Sequence, residues 1–279
     1  MPEILQYEFM VRAIAAAAML GAVAPAFGVY LVLRRLSLMA ETLAHVALTG
    51  VAVGLLTRVY PPFVALGATT GTAVAIEQLR VRRLLPGDAA LAVFLYGALA
   101  VAVVLISVAD GFNTALFGYL FGSVLTVSAS DLWLVGGLAA GVLLFLGLFH
   151  VELAQTSFDP DLARVSGVRV NAINLGLAIV TGATITVSMR VVGVLLVGAL
   201  IVVPVLVSLR VSTGLTATVL TASLTGMAIA VSGVVLAYYA DLAPGGTVVL
   251  VAVALLAVVE TAAAVRRRTK RSMGATTGA

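Results

Sequence analysis

The sequence predicts an all-α protein that crosses a membrane about eight or nine times and forms a single domain over residues 1–279. Of its residues, 62% are hydrophobic and only 10% are charged, whereas soluble domains carry about 25% charged residues. The apolar residues form runs of about 20, the length of helix needed to cross a bilayer core of about 30 Å. The chain has no cysteine, which excludes disulfides and thiolate metal sites.

Nine segments are apolar and long enough to be crossings. We expect the first to remain as a true span, because the chain before it lacks the basic region of a cleaved signal. The segment 112–127 is open to three interpretations: an interfacial helix, a re-entrant piece or another crossing. The predicted spans are 9–33, 37–57, 62–79, 88–108, 131–149, 171–189, 191–209, 215–238 and 246–265.

The basic residues predict the orientation. With the N-terminus outside and nine crossings, thirteen of the sixteen Lys and Arg residues are cytoplasmic, and only Arg12, Arg58 and Arg190 lie outside. Cytoplasmic loops are enriched in basic residues, so this arrangement is favoured over its inverse. The basic tail 266–279 then indicates a cytoplasmic end rather than a nucleic-acid site.

Acidic residues near the predicted span ends divide into two groups. Those outside could draw cations toward a mouth; they are Asp110, Asp131 and Asp241. Those near cytoplasmic ends are expected either to extend toward the membrane surface or to pair with arginine; they are Glu77, Asp88 and Glu260.

Glu41 and His45 lie inside the second predicted span. His45 follows Arg35 by ten residues, so it is about 15 Å deep and close to the midplane. The spacing of four places both side chains on one helical face. Ionisable groups at this depth are costly unless they have a function or a partner, and carboxylate and imidazole are suitable ligands for Zn²⁺ or Mn²⁺. The alternative is a hydrogen-bonded pair that only holds two helices together.

The longest polar stretch contains a short helix whose ends are specified by sequence. Asp159 suits the N-cap, Pro160 the first helical position and Asp161 the helix dipole. Gly167 suits the position just after the helix. The segment 158–167 is either a solvated connector or a rigid element that docks into a partner.

Nucleotide chemistry is not expected in this chain. A phosphate-binding loop requires Gly-Lys followed by Ser or Thr, and the single lysine, Lys270, stands between Thr269 and Arg271. We therefore expect a non-enzymatic protein with no permanently bound cofactor.

Four segments, in order, resemble the permeases of bacterial and archaeal zinc and manganese ABC importers. The second-span motif LRRLSLMAETLAHVALTGVAVG is similar to one that usually has Asp where Glu41 stands. The other three are Leu116 to Leu132, VELAQTSFDPDLARVSGV, and Ser188 to Val205. The sequences around His45 and after Ser188 resemble those of the zinc branch more than those of the manganese branch.

The resemblance implies a homodimer in a prokaryotic cell membrane, with two copies of a cytoplasmic ATPase and an extracytoplasmic metal-binding protein as partners. It assigns the metal path to Glu41 and His45. It assigns contact with the ATPase to a coupling helix at about 158–167, with the residues Phe158, Asp159, Pro160, Asp161, Ala163 and Gly167.

Other functions would use the same features differently. A stand-alone proton- or sodium-coupled carrier could use Glu41 and His45 as a relay, but it would not need a docking helix. An intramembrane metalloprotease needs a motif such as H-E-x-x-H, and the only histidines are His45 and His150. A permease for manganese or iron, or for a metal chelate, also remains open.

Overall fold

The computed structural model describes residues 6–82, 87–108, 118–120, 122, 127–191 and 193–276. These residues form helices and no β-strand, which confirms the predicted all-α class. The helices are α1 Glu8–Leu33, α2 Ser37–Thr57, α3 Pro61–Val81, α4 Gly87–Val108, α5 Ala129–Leu148, α6 His150–Phe158, α7 Pro160–Val165, α8 Val170–Val191, α9 Val194–Val211, α10 Leu215–Ala240 and α11 Pro244–Thr276.

The long helices follow the predicted spans closely. Seven are long and apolar enough to cross a membrane, and Val197–Val211 within α9 is a shorter apolar helix. α3 has 21 residues but carries Glu77, Gln78 and Arg80 near its end, which makes it less apolar. The prediction of eight or nine crossings agrees with these described helices. The segment 112–127 lies largely outside the described residues.

Contacts between helix ends show how α1 and α10 run relative to each other. At one end, the Tyr7 ring before α1 lies 6.4 Å from the ring of Tyr238 at the end of α10. At the other end, His150 Nε2 lies 3.2 Å from Thr216 Oγ1 at the start of α10, and His150 Nδ1 lies 3.0 Å from the Tyr30 hydroxyl near the end of α1. α1 and α10 are therefore antiparallel.

Small residues allow α1 and α10 to pack closely. A Cβ atom on Gly21 would lie 2.6 Å from the carbonyl oxygen of Gly226, so the two backbones touch at this point. Close approach through small residues is typical of helices that associate in lipid. A continuous apolar core then extends from α1 through α2 to α8 and α9; its members include Phe27, Leu43, Ile185 and Ile201.

Candidate metal pathway and docking helix

α2 is the helix on which the candidate site is built, and it packs against α3, α4, α8 and α9. Thr42 Oγ1 lies 3.2 Å from the carbonyl oxygen of Leu91 on α4. Thr49 Oγ1 lies 2.8 Å from the carbonyl oxygen of Ala98. The two contacts are seven residues apart on both helices and in the same order, so α2 and α4 are parallel. These hydroxyls help to hold α2 in one rotational setting.

Only one narrow face of α2 is uncovered in the single chain. Leu38 and Leu56, near its two ends, are 50% and 40% exposed. Between them, from Met39 to Gly54, the partly exposed positions recur at helical spacing and the other residues are buried; these positions are Glu41, His45, Thr49 and Val53. The candidate ligands therefore lie on the one side of α2 that the rest of the chain leaves open.

Glu41 and His45 form the close pair expected from their spacing. His45 Nε2 lies 3.2 Å from Glu41 Oε1, and their side chains are 14% and 39% exposed. The hydrogen bond joins two residues of the same helix. His45 Nδ1 is buried and has no hydrogen-bond partner among the described residues.

A complete metal site is not present within the described part of one chain, where no cluster of three or more His, Cys, Asp or Glu side chains is found. Two ligands are fewer than the four of a structural zinc site. The pair can instead give a divalent ion one carboxylate and one imidazole, with other ligands coming from water or another chain.

The short helix in the polar stretch has the caps predicted from the sequence. Asp159 Oδ1 accepts hydrogen bonds from the backbone N–H groups of Asp161 and Leu162, at 3.0 and 2.9 Å. Pro160 begins α7, and Gly167 has a φ of +88°, a conformation that glycine adopts without strain. The chain therefore fixes both ends of α7.

α7 presents an apolar face to the outside. Phe158, the last residue of α6, and Leu162 and Val165 of α7 are 68%, 63% and 87% exposed. The spacing of three residues places Leu162 and Val165 on one face of α7, and Phe158 stands just before that helix. Ala163, on the other side, is buried and anchors the helix to the protein. Of the three exposed apolar residues, only Phe158 was singled out from the sequence. The helical spacing of Leu162 and Val165 was the available signal.

One arginine connects both flanks of α7 to the end of α1. Arg34 Nε donates to Ser157 Oγ, at 3.0 Å, and Arg34 Nη1 donates to Asn174 Oδ1. Ser157 precedes α7 and Asn174 follows it. Burial lowers the pKa of the Arg34 guanidinium to about 10, so the group is still charged at neutral pH. Three residues further along the chain, at Ser37, α2 begins, the helix that carries Glu41.

Asp131 is not the free outer acid that the sequence suggested. Its side chain is 8% exposed and pairs with Arg190, and it forms a capping box with Ser128 at the start of α5. The predicted arginine pairing does hold for two other acids: Glu77 lies 2.7 Å from Arg80, and Glu260 lies 2.6 Å from Arg210.

The chain matches a family of transport proteins and is similar to named membrane proteins of metal transport. The ABC 3 transport family matches residues 6–263. A "Probable metal transport system membrane protein" of Treponema pallidum is 35% identical, over 91% of this chain and 96% of its own length. The manganese transport system membrane protein MntC of Halalkalibacterium halodurans is 30% identical, over 91% of this chain and 87% of its own.

A solved structure shares the fold. PsaBC from Streptococcus pneumoniae in complex with Fab superposes with a TM-score of 0.82 and 28% identity, covering 92% of both chains. The family match spans nearly all the described helices, including α2 and α7. The chain is thus a multi-pass membrane protein of the ABC 3 transport family, a metal-transport permease.

Proposed function

We propose that this permease imports a divalent metal ion, with Zn²⁺ as cargo, along the uncovered face of α2, where Glu41 and His45 act as transient ligands. The observation that carries the proposal is that the one open face of a buried helix holds both ionisable groups. Such groups are expensive against lipid, so this face needs water, an ion or another protein chain. A metal path meets that requirement.

A second copy of the chain is the proposed cover for this face. Two copies of α2 facing each other would bring two carboxylates and two imidazoles together, which is enough to surround a dehydrated ion. Modest affinity suits such a site, because the ligands must also release the ion when the helices move. The homodimer would sit in a prokaryotic cell membrane and receive metal from an extracytoplasmic binding protein.

ATP hydrolysis is assigned to a separate cytoplasmic subunit, present in two copies, that docks on α7. The apolar face of Phe158, Leu162 and Val165 is the kind of exposed patch that marks a protein contact. Both flanks of α7 are bonded to Arg34, just before α2. A movement of α7 would therefore be passed through the hydrogen bonds of Arg34 to α2, the helix that carries Glu41.

Zinc is proposed over manganese on ligand chemistry. An imidazole and carboxylate site binds Zn²⁺ more tightly than Mn²⁺ in the usual order of divalent metals, and the sequence around His45 resembles the zinc branch. The name of the MntC relative instead mentions manganese, and import of manganese or iron by the same route is the competing assignment.

The test is uptake by the purified permease with its ATPase in proteoliposomes, using radioactive zinc and manganese. We expect ATP-dependent uptake of zinc that excess unlabelled manganese competes with poorly. If manganese were taken up in preference to zinc, manganese would be the cargo and the proposed path along α2 would stand. Full-rate uptake by the permease alone, without ATPase or ATP, would instead support a stand-alone carrier.

Topology gives a further check on the proposal. With the N-terminus outside and the C-terminus in the cytoplasm, a fluorescent reporter fused after residue 271 should be active, and alkaline phosphatase fused there should be inactive. Fusions between α2 and α3, near Arg58, should give the opposite result. Active phosphatase at the C-terminus would reverse the orientation and place α7 on the side away from ATP.

A further inference from the structure

The Glu41 carboxylate lies directly against a glycine of the neighbouring helix α9. A Cβ atom on Gly198 would be 2.7 Å from Glu41 Oε2, closer than real Cβ contacts allow. The same Cβ would be 3.9 Å from the Glu41 backbone nitrogen and 4.0 Å from its Cα, which are ordinary contacts. A methyl group at position 198 would therefore displace the carboxylate and leave the two helix backbones where they are.

We propose that Gly198 is a positioning residue, which fixes where the Glu41 carboxylate sits relative to His45 and thereby sets the metal affinity of the pair. This inference rests on the proposed function. Glutamate is one methylene longer than aspartate, and the space beside α9 that the missing Cβ leaves is occupied by the end of this longer side chain. Gly198 acts through Glu41 and does not itself coordinate metal, so it is a positioning residue.

The rigidity of the surroundings gives this contact its effect. Gly198 is a buried residue of α9 that faces Glu41 of α2. The Thr49 hydroxyl, which is bonded to the Ala98 carbonyl of α4, limits rotation of α2. A methyl group at position 198 would therefore move Glu41 Oε2 away from α9 and change the position of the carboxylate whose Oε1 now lies 3.2 Å from His45 Nε2. The ligand pair would be separated or misaligned for a shared ion.

The experiment compares four proteins: wild type, Gly198→Ala, Glu41→Asp and the double variant. KM for zinc and maximal ATP-driven uptake are measured separately in proteoliposomes with the ATPase. We expect Gly198→Ala to raise KM about tenfold, the scale of changes around metal ligands, with little change in the maximal rate. In the Glu41→Asp background the shorter side chain clears the methyl group. Adding Gly198→Ala to Glu41→Asp should therefore change KM less than about twofold.

Gly141→Ala on α5 is the matched control, because a Cβ there meets nothing within 4 Å. Alanine is a better helix former than glycine, so both glycine variants should fold, and their dimer content is checked by size-exclusion chromatography. An unchanged KM in Gly198→Ala would overturn the inference, and so would an equal loss in both backgrounds, since the methyl group would then act on helix packing. Glu41→Gln separates the two claims: normal uptake by it would refute the metal path itself.

Discussion

Replacing His45 by alanine is expected to abolish ATP-driven metal uptake while leaving the assembled transporter intact. His45 supplies the only imidazole on the uncovered face of α2, 3.2 Å from Glu41. Without it, an ion in the path keeps one carboxylate per chain, and we expect uptake to fall by at least about a hundredfold, the upper range for perturbed metal sites. Assembly should survive because alanine is a good helix former and the packing of α2 also rests on its buried apolar residues, such as Leu43 and Val51.

Two substitutions of Glu41 test whether charge or shape matters. Glu41→Asp keeps the carboxylate and its charge, so it should be tolerated. Glu41→Gln keeps the shape and removes the charge, so uptake should be lost. Gly141→Ala on α5, where a Cβ meets nothing within 4 Å, is the control away from this face. If His45→Ala and Glu41→Gln both transported at the wild-type rate, the pair would be structural and the path would lie elsewhere.

Most membrane-crossing segments could be predicted from the sequence to within a few residues because bilayer thickness imposes one length scale on every crossing. The end of α11 could not: the predicted span ended at 265, but the helix continues to Thr276 through the basic residues. The second predicted span, 37–57, coincides with α2, Ser37–Thr57. The caps of α7 were equally readable, because Asp159 and Gly167 act on the backbone within a few residues of themselves. Local rules of this kind need no knowledge of the tertiary fold.

Features that depend on a distant neighbour could not be predicted. Asp131 looked like a free outer acid, but Arg190, 59 residues away in sequence, pairs with it. Gly198 had no signal of its own, because its importance comes from the side chain of Glu41 on another helix. Which face of α2 stays uncovered also depends on how α3, α4, α8 and α9 surround it, and an almost uniformly apolar helix has no periodicity that reveals this.

Replacing Asp159 and Asp161 together by lysine is expected to abolish coupled uptake and to release the ATPase subunit. Asp159 satisfies two backbone N–H groups at the start of α7, and loss of such a cap costs about 1–2 kcal/mol. Lysines at this end also oppose the helix dipole. A helix of six residues is short, and the substitution also removes the Asp161–Arg164 pair, so the apolar side chains Leu162 and Val165 would no longer be held on one face. Co-purification of the ATPase and ATP-driven uptake are the measurements.

Two further variants separate loss of the helix from loss of the contact. Asp159→Asn keeps a good N-cap without the charge, so it should retain coupled uptake. Leu162→Glu leaves the caps in place and puts a charge on a side chain that is 63% exposed, so it should weaken ATPase binding with normal permease assembly. If the double lysine variant and Leu162→Glu both kept the ATPase bound and transport coupled, α7 would be a solvated connector, and the ATPase would have to dock on another cytoplasmic surface.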